Sequence, residues 1–199
     1  MSDILLPRDV PLWEDARHFL DVRSNDEHSL IAYGLARALL ANHQEADEST
    51  VLPAILLHDT GWKHVDPERI LEAIGPGAKH HELVRQHETE GVKIAQEILN
   101  RHQPEAVDID AVLAIIDRHD TWKHATSLND ALVKDADKVW RFTPHGVSTI
   151  GSWFDMTAAE TYDLLEDFVT PQLLTDTGRH MAQGFLAAGR AQSQLRNYL

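Results

Sequence analysis

Apolar residues recur every three to four positions along most of this chain, which is the spacing of amphipathic α-helices. The run Val51–Leu57 is apolar throughout, and its leucine and alanine content favours a buried helix over a strand. Asn25 or Asp26 is expected to cap the second helix, and Asp108 to begin the helix over 108–119. The predicted helices cover residues 11–23, 26–43, 49–59, 81–101, 108–119, 127–141, 157–174 and 178–197.

Glycine and proline residues mark where some of the predicted helices begin and end. Gly61 is expected to end the third helix, and Pro67 to open a short helix that ends at Gly75–Gly77. The segment 144–155 carries the weakest pattern. With 199 residues, no linker and no repeat, the chain is predicted to be all-α and to form a single-domain helical bundle over residues 1–199.

Composition excludes several classes of protein. The chain has no cysteine, so disulfides, thiolate metal sites and thiol nucleophiles are excluded. Its formal net charge of −14 disfavours binding to nucleic acid or to anionic membranes. The first residues resemble no secretory leader, and no apolar stretch approaches the roughly 20 residues that span a bilayer. We therefore expect a cytoplasmic protein.

Polar residues interrupt the apolar stripes of several predicted helices. One histidine on such a stripe is commonly a hydrogen-bonded core residue, but here five segments each direct a histidine or aspartate inward. An unpaired buried carboxylate is costly, whereas imidazole and carboxylate together are good ligands for divalent metals. Helical bundles build metal sites from facing helices in this way. The inward residues are His28, His58-Asp59, His87, His119 and Asp137.

This ordered set resembles the HD-domain superfamily of metal-dependent phosphohydrolases over about residues 20–142. Leu57–Gly61 is similar to the signature Leu-His-Asp-x-Gly, and His87–Gly91 to a His-x-x-x-Gly helix start. Ala136–Lys138 is similar to the closing Ala-Asp-Lys/Arg motif. The resemblance implies a bundle of HD-domain type, with the C-terminal helices over 157–197 packed on the motif core.

The resemblance also implies a set of metal ligands. One divalent ion would be held by His28, His58, Asp59 and Asp137. His87 and His119 would hold a second ion, with Asp59 as the bridge. Because both middle histidines are present, a dinuclear site is favoured, with iron, manganese, magnesium or similar ions.

Three residues compete with members of this set. Asp135 competes with Asp137, because it lies on an apolar stripe of the same helix. His80 and His81 compete with His87, but they follow directly on the turn at Gly77.

The implied activity is hydrolysis of a nucleotide or another small phosphoester by a metal-activated hydroxide. This activity needs no protein nucleophile, and the chain has no Gly-x-Ser-x-Gly elbow and no phosphate-binding glycine motif. Asp59 and Lys63 are the expected catalytic residues, with Lys63 near the pocket mouth. Cations expected to bind the anionic small-molecule substrate are Arg23, Lys63, Arg118, Lys123 and Arg141.

Two other functions stay open. The six-ligand order also resembles that of mixed-valence diiron oxygenases acting on small polar or phosphonate substrates, with which His28–Leu30 and Gln86–Glu88 agree. A non-catalytic, metal-stabilised module is the third hypothesis. After His119, the sequence Asp120–Trp122 departs from the cyclic-di-GMP phosphodiesterases, so that activity is not expected. The C-terminal helix is a candidate homodimer interface through Met181, Phe185, Leu186 and Leu195.

Overall fold

Helices and the turns between them make up the part of the chain that the structure describes. A computed structural model describes residues 4–75 and 77–196, and within these ranges it contains helices and no strand, so the all-α prediction is confirmed. None of the helices in the described part of the chain combines the length and apolarity that a bilayer span needs. The α-helices are α1 (Val10–Ala16), α2 (Asn25–Leu40), α3 (Glu48–Leu57), α4 (Ile70–Ala73), α5 (His81–His102), α6 (Ile109–Ile116), α7 (Leu128–Trp140), α8 (Pro144–Phe154), α9 (Ala158–Leu164) and α10 (Asp176–Arg196).

Helix α3 lies at the centre of the bundle. It packs against α2, α6 and α7, and every residue from Thr50 to Leu57 is buried. This burial on all sides explains why the segment shows no polar face. Its start is fixed by Asp47, whose carboxylate accepts the backbone N–H of Ser49. The central helix therefore ends with His58 and Asp59 inside the bundle.

The C-terminal helices add a second apolar cluster beside the first. Val139 of α7 and Phe142 pack there with Leu165, Ala182 and Leu186. On α10, Leu186 is buried, Met181 and Phe185 are half-buried, and Leu195 is exposed. The inner face of α10 therefore packs on the chain itself, and the homodimer interface stays a prediction.

Some helix boundaries differ from the predicted ones. Helix α1 ends at Ala16 rather than at residue 23, and turns follow it up to Arg23 and Ser24, which adopt left-handed backbone with φ of 56° and 60°. Ser24, not Asn25 or Asp26, is the N-cap of α2, and it makes no side-chain capping bond. Helix α6 does begin after the predicted Asp108, but it ends at Ile116, so His119 lies in the following turn.

Other differences concern turns. The chain continues past Gly61 as a 3₁₀ helix, Thr60–His64, and the weakly patterned segment 144–155 forms α8, which Thr143 caps. The predicted helix over 157–174 breaks into α9, a π-helical turn at Leu165–Val169 and a 3₁₀ turn. The short helix expected after Pro67 is α4. Parts of the predictions fall on residues 1–3, 76 and 197–199, which lie outside the described residues.

Candidate metal centre

The six predicted ligands converge on one site within the bundle. His28 comes from α2, His58 and Asp59 from the end of α3, and His87 from α5. His119 follows α6, and Asp137 lies on α7. All six are buried. The donor atoms fall into overlapping groups in which all members lie within 4.8 Å of one another.

The first group joins two imidazoles and a carboxylate. The Nε2 atoms of His28 and His58 are 3.0 Å apart. Oδ1 of Asp137 lies 3.5 Å from Nε2 of His28 and 3.8 Å from Nε2 of His58. Donors about 2.1 Å from one ion lie roughly 3.0–3.4 Å from each other in octahedral or tetrahedral coordination. The observed spacing is close to that of a divalent metal site.

The second group repeats this arrangement. The Nε2 atoms of His87 and His119 are 3.3 Å apart. The carboxylate is Asp120, whose Oδ2 lies 3.7 Å from Nε2 of His87 and 3.8 Å from Nε2 of His119. Asp120 was not among the predicted ligands. One sequence signal points to Asp120: His58–His64 and His119–His124 resemble each other, a match too short to establish a duplication, and each has an aspartate after its first histidine.

Asp59 lies between the two groups. Its Oδ2 is 3.4 Å from Nε2 of His28. Its Oδ1 is 3.5, 3.7 and 3.6 Å from the Nε2 atoms of His58, His87 and His119. The carboxylate therefore faces all four imidazoles, which is the position that a bridging ligand needs.

Backbone carbonyls orient one imidazole of each pair. Nδ1 of His58 donates to the carbonyl of Ile55 at 2.7 Å, and Nδ1 of His119 donates to that of Ile116 at 2.9 Å. A carbonyl can only accept, so the proton lies on Nδ1 and the Nε2 lone pair faces the other ring. Facing lone pairs at these distances repel unless a proton or a cation lies between them. The donor set therefore fits divalent ions.

The electrostatics of the site favour positive charge at the same two places. Burial lowers the pKa of His28 and of His87 to about 4. Burial alone would also lower the pKa of His119, but the neighbouring carboxylates of Asp59 and Asp120 raise it to about 9. The pKa of His58 is raised as well, because Asp59 and Asp137 outweigh its burial. One ring of each pair thus favours a proton, and a divalent cation would supply that charge more effectively.

The two carboxylates beside the first pair are ionised. Burial alone would raise the pKa of Asp59, but the histidines around it hold that pKa well below its usual range. Asp137 behaves similarly, since Arg141 and His58 outweigh its burial. Both side chains are therefore available as anionic ligands at neutral pH.

Neighbouring side chains hold the donors in place. The Trp62 indole N–H donates to Oδ1 of Asp59 at 3.1 Å, and its ring stacks on His87 with centroids 4.0 Å apart. Glu88 is fully buried and accepts the backbone N–H groups of Asp120 and Thr121 at 3.0 and 2.8 Å. Glu88 thus fixes the turn that carries His119 and Asp120, a role that the sequence pattern did not indicate.

Two of the three competing residues, Asp135 and His80, have other partners. Asp135 accepts the backbone N–H groups of Leu174 and Thr175 at 2.7 and 2.8 Å, just before α10. It therefore anchors the C-terminal helix. His80 pairs with Glu82 at 2.7 Å. Neither His80 nor His81 belongs to a donor group within residues 4–75 and 77–196.

Four of the donors line a cavity of about 520 Å³: His28, Asp59, Asp120 and Asp137. Of the five expected substrate-binding cations, Arg23, Lys123 and Arg141 also line it. Contrary to expectation, Lys63 and Arg118 do not. The Lys63 ammonium lies 2.5 Å from the exposed carboxylate of Asp21, and Arg118 stacks on Trp122.

A known protein family matches the part of the chain that contains both donor groups. A family model described as HD domain matches residues 25–141, more than half of the 199 residues. No curated protein and no solved structure matches the chain. The matched range runs from the first residue of α2 to the residue after α7, and it includes both donor groups.

Proposed function

Because the chain belongs to the HD domain family, whose members are generally metal-dependent hydrolases, we propose that it binds two divalent metal ions and hydrolyses a small phosphoester. The observation that carries this proposal is the pair of facing imidazole couples, with Nε2 atoms 3.0 and 3.3 Å apart, and Asp59 between them. A proton or a cation between the facing nitrogens would stabilise such a site, and divalent ions suit its donors. It also leaves carboxylates facing a cavity in which a substrate could lie.

The ligand assignment follows from the distances. His28, His58, Asp59 and Asp137 would hold one ion. His87, His119 and Asp120 would hold the second, which shares Asp59. Two ions bound there would lower the pKa of a coordinated water and neutralise charge on the phosphoryl group.

Arg23 is the residue best placed to orient the anionic substrate. Its guanidinium lies between the rings of Trp62 and Trp153, at 4.8 and 4.5 Å from their centroids. Its buried Nε has no hydrogen-bond partner within the described residues. The backbone of Arg23 is left-handed, with φ of 56°, and such strain is characteristic of functional sites. The unpaired donor and the strained backbone support a role in binding a phosphate oxygen.

Arg141 lines the same cavity and would act together with Arg23. One of its guanidinium nitrogens lies 3.3 Å from Oδ2 of Asp137. The guanidinium therefore neutralises a proposed ligand, and its remaining N–H groups are available for the substrate. Lys63, which the sequence indicated as catalytic, has no part in this proposal because its partner lies outside the cavity lining.

The test is metal-dependent phosphate release. Protein purified anaerobically would be loaded with Mn²⁺ or Fe²⁺ and assayed with a panel of phosphomonoesters. We expect Asp59→Asn to abolish phosphate release, whereas Asp21→Asn, a carboxylate outside the cavity lining, should retain wild-type rates. Phosphate release that survives Asp59→Asn would refute the proposal.

Metal content tests the second ion separately. Elemental analysis should find two equivalents in the wild type and one in the His87→Ala, His119→Ala double variant. Two equivalents in the double variant would exclude the second position.

Oxygenase chemistry is the alternative, since nitrogen and carboxylate donors of this kind also suit iron. The same anaerobic preparation would be examined by EPR and for O₂ uptake. A mixed-valence diiron signal with substrate-dependent O₂ uptake, and no phosphate release, would replace hydrolysis with oxygenation.

A further inference from the structure

The cavity has an apolar wall as well as a polar end. This wall is contributed by Ile150, Trp153, Phe154, Leu164, Leu165 and Phe168, which all line the cavity. All six follow residue 141, where the family match ends. The polar donors thus belong to the family core, whereas this wall belongs to α8, α9 and the π-helical turn after them. The wall is the part of the cavity that would distinguish this chain from others sharing the core.

The π-helical turn gives the wall its exposed aromatic side chain. The turn spans Leu165–Val169, and the backbone N–H of Thr170 closes it by bonding to the carbonyl of Leu165. π-helical turns are rare in proteins, and those that do occur are often found at functional sites. Phe168 is 57 % exposed although it lines the cavity. An apolar ligand that covers this exposed ring removes apolar surface from water, and this favours binding of the ligand.

A glycine lets the opposite loop approach this wall. Gly75 has φ of +82°, and a Cβ atom there would lie 2.5 Å from Cζ of Phe154. The loop after α4 therefore packs directly on the ring of Phe154.

The wall offers little to a nucleoside. Among the cavity-lining side chains from residues 142–172, all of them described, the polar groups are the Gln172 amide and the Trp153 indole N–H. Nε2 of Gln172 already donates to the carbonyl of Phe168. The hydroxyl groups of a ribose bound against these side chains would lose hydrogen bonds to water and find few replacements there, which is unfavourable. An alkyl or aryl group would lose none.

We propose that the substrate is a phosphomonoester of an apolar alcohol: its phosphate lies at the donor groups with Arg23 and Arg141, and its alkyl or aryl body packs on the wall of residues 150–168. This inference rests on the proposed hydrolase function. In the reaction, a water oxygen bonds to phosphorus and the bond from phosphorus to the alkyl oxygen breaks. The departing oxygen takes a proton that the attacking water gives up, so the products are the alcohol and inorganic phosphate.

Binding tests the apolar body without turnover. Alkylphosphonates from methyl to hexyl cannot be cleaved at a P–O–C bond, and they would be titrated into metal-loaded protein by calorimetry. A buried methylene contributes about 0.8 kcal/mol, so we expect Kd to fall about fourfold per methylene until the wall is covered. Phe168→Ala should weaken hexylphosphonate at least about fivefold and leave methylphosphonate within about twofold. Leu195→Ala, which removes a side chain 63 % exposed on α10, is the matched control and should change neither.

Several results would overturn the inference. These are a Kd independent of chain length, an equal effect of Phe168→Ala on both phosphonates, or tighter binding of a nucleoside 5′-phosphonate than of hexylphosphonate. Turnover separates the inference from the proposed function. Phosphate released with equal kcat/KM from methyl and hexyl phosphate would keep the hydrolase and reject the apolar substrate. Selective binding of hexylphosphonate without phosphate release from any ester would keep the apolar ligand and reject the hydrolase.

Discussion

The approach of the 3₁₀ segment to α5 depends on Gly61. A Cβ atom at this position would lie 1.8 Å from the carbonyl oxygen of His87, 2.4 Å from the backbone nitrogen of Gly91 and 2.8 Å from the carbonyl carbon of His87. All three are backbone atoms, so no side-chain rotation can relieve the overlap. Gly61→Ala must therefore separate the segment that follows Asp59 from the helix that carries His87.

The expected cost is large for a single methyl group. Overpacking a core costs about 1–3 kcal/mol, and backbone overlap this close belongs at the upper end, near 3 kcal/mol. For a chain of this size, Tm falls by roughly 2–4 °C per kcal/mol, which gives a decrease of roughly 6–12 °C. Because His87 moves with its carbonyl, the affinity for the second metal ion should fall as well.

Thermal unfolding by circular dichroism, with metal titration, measures both effects. Gly34→Ala is the control: it lies within α2, and a Cβ there meets nothing within 4 Å. Because alanine is favoured over glycine inside a helix, the free energy of unfolding of that variant should rise by about 0.5–1 kcal/mol. If Gly61→Ala unfolds at the wild-type temperature and binds two ions normally, the close approach does not hold the site together.

Other perturbations separate structural from functional roles. Asp135→Ala leaves two backbone N–H groups before α10 without their acceptor, so urea unfolding should show a free energy of unfolding lower by about 3 kcal/mol. Unchanged metal content in this variant would confirm that Asp135 is no ligand. Burial raises the pKa of Asp9, despite the hydrogen bond that it accepts from Tyr33. Ionising Asp9 therefore lowers the free energy of unfolding, and this loss develops as pH rises through the pKa of the folded state. The stability of Asp9→Asn relative to wild type should therefore increase between pH 4 and pH 7 in urea titrations, and a constant difference would contradict this. Lys63→Ala should keep kcat/KM within about twofold, whereas Arg23→Lys should lower it at least about tenfold because an ammonium cannot reproduce the planar fork; equal effects would remove Arg23 from the site.

Much of the metal centre was predictable because its residues carry local signals. His28, His87 and Asp137 each lie on an apolar stripe, and all three are buried as that pattern predicts. The order of the motifs indicated the family, which the match over residues 25–141 confirms. The role of each ligand stays a prediction until metal binding is measured.

The errors have a common physical origin. The stripe of α6 was extended to His119, but the helix ends at Ile116 and Arg118 is left-handed. The position of Lys63 was taken from its spacing to Asp59, but the 3₁₀ helix turns its ammonium toward Asp21. The spacing of hydrophobic residues indicates neither feature, because the geometry of a turn depends on which neighbouring groups make hydrogen bonds to its backbone.

The sequence by itself determined most of the helices, the inward direction of the histidines and aspartates, and the family to which the chain belongs. Periodicity reports which face of each helix is buried, one helix at a time. Tertiary structure alone decided that Asp120 reaches His87, that Arg23 lies between two tryptophans, and that the C-terminal segment forms the apolar wall. These features are contacts between segments far apart in the chain, and such contacts arise only when the helices pack.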